Sequence, residues 1–125
     1  SAASDVYKRQ KLDKLHLMLA LKEKFNVLIL SNTNAIHQRA FDRRVGELIP
    51  SKIMADMVHT AYYSHELKLR KPDPHIYQKV IDLQNLNPAK TIFFDDRLEN
   101  ISAAQGSGIQ AIKVTYSDQI LDQLR

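Results

Sequence analysis

The 125-residue chain contains no cysteine, which excludes disulfides and thiolate sites and leaves its compartment open. No apolar run approaches the roughly 20 residues needed to span a bilayer, so no membrane partner is expected. No run of Lys or Arg reaches the length of a nucleic-acid tail or polybasic membrane patch, and no basic and aromatic interleaving supports nucleic-acid binding. Glycine numbers only three, and no Gly-x-Gly-x-x-Gly follows a strand pattern; Gly106-Ser107-Gly108 comes after a helical stretch and reads as its terminator. What is present is ordinary for one soluble globular domain: 44% hydrophobic residues, enough for a real core, and a formal charge of +4. That charge suits a small anionic ligand, with an evenly solvated surface as the plainer explanation.

The first ten residues, "SAASDVYKRQ", show no periodicity. Asp5 to Gln10 correspond to the codons GAT GTG TAT AAG AGA CAG of a transposase-based sequencing adapter. Residues 1–10 are therefore expected to be non-native and are set aside from fold reasoning, with residues 11–125 as the protein proper. An adapter fused in frame gives the further expectation that the gene's real beginning was cut away. A cytoplasmic location is the expectation, and the missing signal peptide neither supports nor opposes it. No oligomeric state follows from the sequence.

From Leu12 onward, Leu12, Leu15 and Leu19 with Met18, Leu21 and Phe25 recur at three- and four-residue spacings, predicting a helix laid on a core. "NVLILSN" is a continuous apolar run suited to a strand covered on both faces. "SNTNAIHQRAFDRRVGELI" supplies capping residues and then a helical pattern to about Leu48. Pro50 and Ser51 mark a break, a short helix is predicted around 52–57, and "VHTAYYS" reads as a strand. "KPDPHIYQKVIDLQ" holds a start signal, with Asp73 as N-cap and Pro74 in the first helical position. After Asn87-Pro88, "TIFFDD" reads as a strand, "RLENISAAQGSG" as a helix, "IQAIKVT" as a strand and "SDQILDQL" as a last helix capped by Ser117. The alternation predicts an α/β fold of Rossmann-like type, a mostly parallel sheet with helices on both faces and ligands at the carboxyl ends of its strands.

Three polar sets fall at such ends and are expected to reach one rim. The Ser31 hydroxyl, followed by the N–H groups of Asn32 and Thr33 at a helix start, would cradle phosphate oxygens; Ser31 or Asn34 as a plain helix cap is the simpler alternative. Lys71 precedes Pro72, which favours an extended lysine; alone it reads as a surface charge. Asp95 and Asp96 are adjacent acids at a strand end. Such a pair is costly without a cation or a proton, and Mg²⁺, which prefers few carboxylates and keeps waters, would serve; a helix-start role is the alternative.

The three sets together resemble the haloacid dehalogenase-like superfamily, dominated by phosphatases. "LILSNTN" is similar to its second motif, "LRKPDPHIYQ" to its third and "IFFDDRLENISAAQGSGIQAI" to its fourth, so that the likeness covers nearly all of residues 12–124. "NTNAIH" and "YYSHELKLRKPDP" look most like sugar-phosphate phosphatases close to alpha-D-glucose-1-phosphate phosphatase. The resemblance implies Mg²⁺-dependent hydrolysis of a small phosphorylated metabolite through an aspartyl phosphate. Ser31 would hydrogen-bond the transferred phosphoryl group and Asn32 would assist. Lys71 would neutralise nucleophile and phosphate oxygens, Asp96 would bind Mg²⁺ directly, and Asp95 would act beside it through a water. Asn100 falls where many relatives carry a further acid; its amide suggests hydrogen bonding, with a surface-helix asparagine as the alternative.

The family's Asp-x-Asp, which supplies nucleophile and acid/base, is absent: Asp13 sits in a helical pattern and no other strand offers one. The expectation is a core lacking its first, central strand and its substrate-selecting cap, inactive by itself and poorly soluble or loosely packed because two inner edges lack a neighbour. A receiver-like phosphoacceptor domain uses similar residues, but there the acid pair comes early in the chain, whereas here it comes last. A true dehalogenase needs no metal, which the paired acids disfavour. A noncatalytic anion- or metal-binding module stays open if the native protein starts near Lys11. The five histidines, His16, His37, His59, His65 and His75, show no metal spacing and read as surface or loop residues, and Tyr62 and Tyr63 as strand packing.

Overall fold

Leu15, Met18 and Leu19 line one face of α1 (Ala2–Lys22), and that face builds a core. Leu15 is buried with Val45, Met57 and Val58, and Met18, Leu19, Val27, Ile29 and Leu48 pack around them. Burying each such side chain stabilises the fold by roughly 1.5–3 kcal/mol. The structure, a computed structural model, describes residues 2–115, and α1 includes residues 2–10 of the segment set aside above. Phe25, expected on the helix face, lies past the helix end and is exposed. The last predicted helix, from Ser117, lies outside the described residues.

The chain divides into two compact units, residues 1–66 and 67–125. In the first, β1 (Leu28–Ser31) pairs in parallel with β2 (Thr60–Tyr63), setting Ser31 opposite Tyr63. His59 extends this ladder by one step: its N–H donates to the Val27 carbonyl (2.8 Å), and its Nδ1 accepts from the Val27 N–H (3.0 Å). Between the strands come α2 (Ala35–Leu48) and a 3-10 turn, Met54–Met57, where the short helix was predicted. A four-residue helix, α3 (Ser64–Leu67), follows β2 directly.

In the second unit, α4 (Pro74–Gln84) begins as the sequence predicts, with the Asp73 carboxylate accepting from the His75 N–H at 3.0 Å and Pro74 in the first turn. It ends at Asn85, whose φ of 51° is left-handed and suits asparagine. Ile76, Tyr77, Val80 and Ile81 form its buried face. After a 3-10 turn at Pro88–Lys90, β3 (Ile92–Asp95) pairs in parallel with β4 (Gln110–Lys113), and α5 (Leu98–Gly106) connects them while packing on both strands and on α4. Gly108, at φ 85°, turns the chain from α5 into β4, a conformation glycine adopts without strain.

Parallel pairing with helical crossovers is the α/β architecture the element order predicts. Among the described residues the strands form two two-stranded ladders, β1 with β2 and β3 with β4. Each strand thus has one ladder partner, and the residues of β1 are half-buried where coverage on both faces was expected. Among the described residues no helix is long and apolar enough to cross a membrane.

Candidate active site

Asp95 is the last residue of β3; its carbonyl still accepts from the Val114 N–H (2.9 Å), and its side chain begins the next turn. Asp95 Oδ1 accepts from the Arg97 N–H at 2.8 Å. Oδ2 accepts twice, from Lys71 Nζ at 2.9 Å and from Asn100 Nδ2 at 3.2 Å. The ion pair is well shielded, with 11% of the Lys71 side chain and 6% of the Asp95 side chain exposed. Lys71 Nζ also stands 5.6 Å from the centre of the Phe93 ring, a favourable cation–π placement. Tyr77 packs edge-on to the same ring at 5.5 Å.

The electrostatics follow from these contacts. Burial pushes the Asp95 carboxyl up, but the Lys71 hydrogen bond and charge, the Arg97 N–H and the Asn100 amide together outweigh it and hold the group below the ordinary carboxylate value. Burial, with the charge of Asp95 nearby, pushes the Tyr77 hydroxyl up to about 12, so it remains a donor, and it donates to the Asn100 carbonyl at 3.1 Å. Asn100 is therefore not a surface-helix residue: it retains 3% exposure and makes the hydrogen bond its amide suggests.

The two acids predicted as a pair differ sharply. Asp96 lies one residue past β3 and is exposed, whereas Asp95 is buried with three protein donors on its carboxylate. A carboxylate offers about four acceptor positions, so Asp95 keeps about one. Among the described residues no group of three His, Cys, Asp or Glu side chains could form an all-protein metal cage. Asp96 and Asp95 could hold a hard cation of the Mg²⁺ kind, which needs only one or two carboxylates and keeps waters.

Ser31 and Asn32 belong to the first unit. Ser31 ends β1 and is half-buried, and α2 begins at Ala35 with Asn34 as its cap, the Asn34 Oδ1 accepting from the His37 N–H at 2.9 Å. Ser31 is thus not the helix cap. The expected phosphate cradle needs one correction: the Thr33 N–H is donated to Ser64 Oγ at 2.9 Å, and the same hydroxyl donates back to the Thr33 carbonyl at 2.9 Å. Ser64, overlooked in the sequence, thereby clamps the loop after β1 to the residue after β2. Its signal was slight, a hydroxyl residue directly following a strand.

Of the histidines, His59 completes the β1–β2 ladder, His65 hydrogen-bonds Gln38 at 2.7 Å, His75 meets Asp73 at 2.7 Å and His37 stands 3.4 Å from the Asn34 amide. These contacts are to backbone or to a neighbouring polar side chain, none of them to a second histidine. Tyr63 is buried as strand packing requires, with its hydroxyl lacking a hydrogen-bond partner among the described residues. Burial, then the charges of Asp42 and Glu66, raise its pKa.

Comparison with known proteins bears on this geometry. The sesquiterpene phosphatase astK of Aspergillus oryzae is 40% identical over 57 residues, 46% of this chain and 29% of that protein. The D-ribitol-5-phosphate phosphatase of Bacteroides thetaiotaomicron is 29% identical over 103 residues, 82% of this chain and 49% of that protein. The HAD family enzyme bt-2542 from Bacteroides thetaiotaomicron superposes with a TM-score of 0.80 at 32% identity, covering 90% of this chain and 55% of that one; its wild-type complex with magnesium and inorganic phosphate gives 0.78. The chain thus spans about half the length, or less, of these relatives. Residues 9–108 match the hydrolase family described as haloacid dehalogenase-like, and the chain belongs to that family.

Proposed function

We propose that this chain carries the second-to-fourth-motif portion of a Mg²⁺-dependent phosphomonoesterase site acting on a small phosphorylated metabolite, a sugar or polyol phosphate. The observation that supports this most is the Lys71–Asp95 pair at the end of β3, with the exposed carboxylate of Asp96 immediately after it. Phosphatases among the relatives, one acting on a polyol phosphate by its name, and a relative solved with magnesium and inorganic phosphate support the same reading.

In this reading each side chain has a distinct task. Lys71, held by Asp95, neutralises charge on phosphoryl oxygens, and a positioned cation of this kind acts without rearranging during the reaction. Ser31, through its hydroxyl, and Asn32 donate hydrogen bonds to the phosphoryl group. Asp96 would hold the metal directly, and Asp95 would act beside it through a water. When bound, Mg²⁺ supplies further charge neutralisation at the phosphate. The nucleophile that forms the aspartyl phosphate is not among these 125 residues, which contain no Asp-x-Asp, so the chain alone binds without turning over.

Phosphate release from sugar and polyol phosphates tests the proposal, measured on the purified chain and on the chain joined to a strand that supplies Asp-x-Asp. The account expects no Mg²⁺-dependent release from the first and release from the second, abolished by Asp96→Asn and reduced by orders of magnitude by Lys71→Ala. Turnover by the chain alone, or full activity in either variant, would contradict it.

A further inference from the structure

Four groups of the second unit are joined in a line of hydrogen bonds. Tyr77 Oη donates to the Asn100 carbonyl at 3.1 Å, Asn100 Nδ2 donates to Asp95 Oδ2 at 3.2 Å, and that same oxygen accepts from Lys71 Nζ at 2.9 Å. The direction of the middle bond follows from chemistry. Turned the other way, the amide oxygen of Asn100 would face a carboxylate oxygen with no proton between them.

A carboxylate rotates about a soft terminal torsion, so its plane is fixed only when both oxygens are held. The Arg97 N–H holds Oδ1 and Asn100 holds Oδ2. Lysine has a flexible four-carbon stem and three rotatable donors, so a fixed acceptor determines where its ammonium rests. Asn100 is itself well fixed: its N–H donates to the Arg97 carbonyl at 3.1 Å within the first turn of α5, and its carbonyl is held by Tyr77. Being neutral, the amide adds a donor to Asp95 without adding a further buried charge to the Lys71–Asp95 pair.

We propose that Asn100 is a positioning residue for Lys71, acting through Asp95, with Tyr77 as its anchor. The inference rests on the reading of Lys71 as the phosphate-facing cation, but its geometry can be tested without phosphate. The experiment follows the Lys71 ammonium by ¹⁵N NMR in the full chain, comparing proton exchange at Nζ in wild type, Asn100→Leu and Tyr77→Phe. Amide exchange at Ile101 and Ala104 reports whether α5 stays intact. The expected result is exchange at Nζ about tenfold faster in Asn100→Leu and severalfold faster in Tyr77→Phe, with α5 amides unchanged in Tyr77→Phe. Should Asn100→Leu disturb α5, Tyr77→Phe decides. Unchanged Nζ exchange in a variant with an intact α5 overturns the proposal. Adding Mg²⁺ and inorganic phosphate to the wild type separates the two readings: a Lys71 signal that ignores phosphate while its exchange responds to Tyr77→Phe sinks the phosphatase reading and leaves the positioning role standing.

Discussion

The chain presents two strand-end loops built by different physics. After β1, the loop through Thr33 is held by neutral hydrogen bonds, the two-way clamp of Ser64 and the Asn34 cap. After β3, the turn is held by charge, with Lys71, Arg97 N–H and Asn100 converging on one buried carboxylate. The first arrangement fixes backbone, the peptide groups of Thr33. The second fixes a side chain, the ammonium of Lys71, at the cost of burying its partner. A neutral clamp responds little to pH, whereas a charge-held turn depends on Asp95 staying ionised.

The contrast breaks most visibly if the buried carboxylate is removed. Asp95→Ala strips Lys71 and Asn100 of their shared acceptor, and loss of one partner of a shielded ion pair costs roughly 3–5 kcal/mol. Urea unfolding should show that loss, with the earliest amide exchange in residues of β3 and α5. A cost under about 1 kcal/mol would mean that the pair is not the structural anchor described here.

Acid sharpens the same contrast. Because the Asp95 carboxyl is held below its ordinary value, its stabilising contribution is complete above the unfolded-state value of about 3.9 and is lost as the pH falls through the lowered folded-state value. Urea midpoints from neutral pH into that acid range should fall more steeply for wild type than for Asp95→Asn. Parallel slopes would contradict the assignment.

The neutral loop gives the smaller effect. Ser64→Ala removes an acceptor and a donor from the part-buried Thr33 peptide groups, a loss of roughly 1–3 kcal/mol that should change little with pH. Exchange of the Thr33 amide should accelerate in this variant while the amides of α5 keep wild-type rates. Spread of the effect to α5 would contradict the picture of two independently held loops.

How much of this could be read from the chain depends on the range of the interaction. Asp73 and Pro74 announce α4 because capping is local, and Asp95 shows at the end of β3 because an apolar run stops there. Ser64 did not show, since its bonds reach a residue 31 positions away and nothing in "YYSHE" records the partner. Asn100 was half legible. Its polarity suggested hydrogen bonding, while its burial follows from sitting beside Ile101 and four residues before Ala104 on the inward face of α5. Phe25 fits a helical spacing, but the helix ends at Lys22, before the pattern does. Asp95 and Asp96 read as one pair, and only the end of β3 between them separates a buried anchor from an exposed ligand candidate.

That separation is the central claim, and calorimetry of Mg²⁺ with inorganic phosphate on the wild-type chain and Asp96→Asn tests it most directly. The account predicts Mg²⁺-dependent phosphate binding by wild type that disappears in Asp96→Asn, while unfolding stability changes by no more than about 0.5 kcal/mol, as expected of an exposed side chain. Undiminished metal-dependent binding by Asp96→Asn would contradict it.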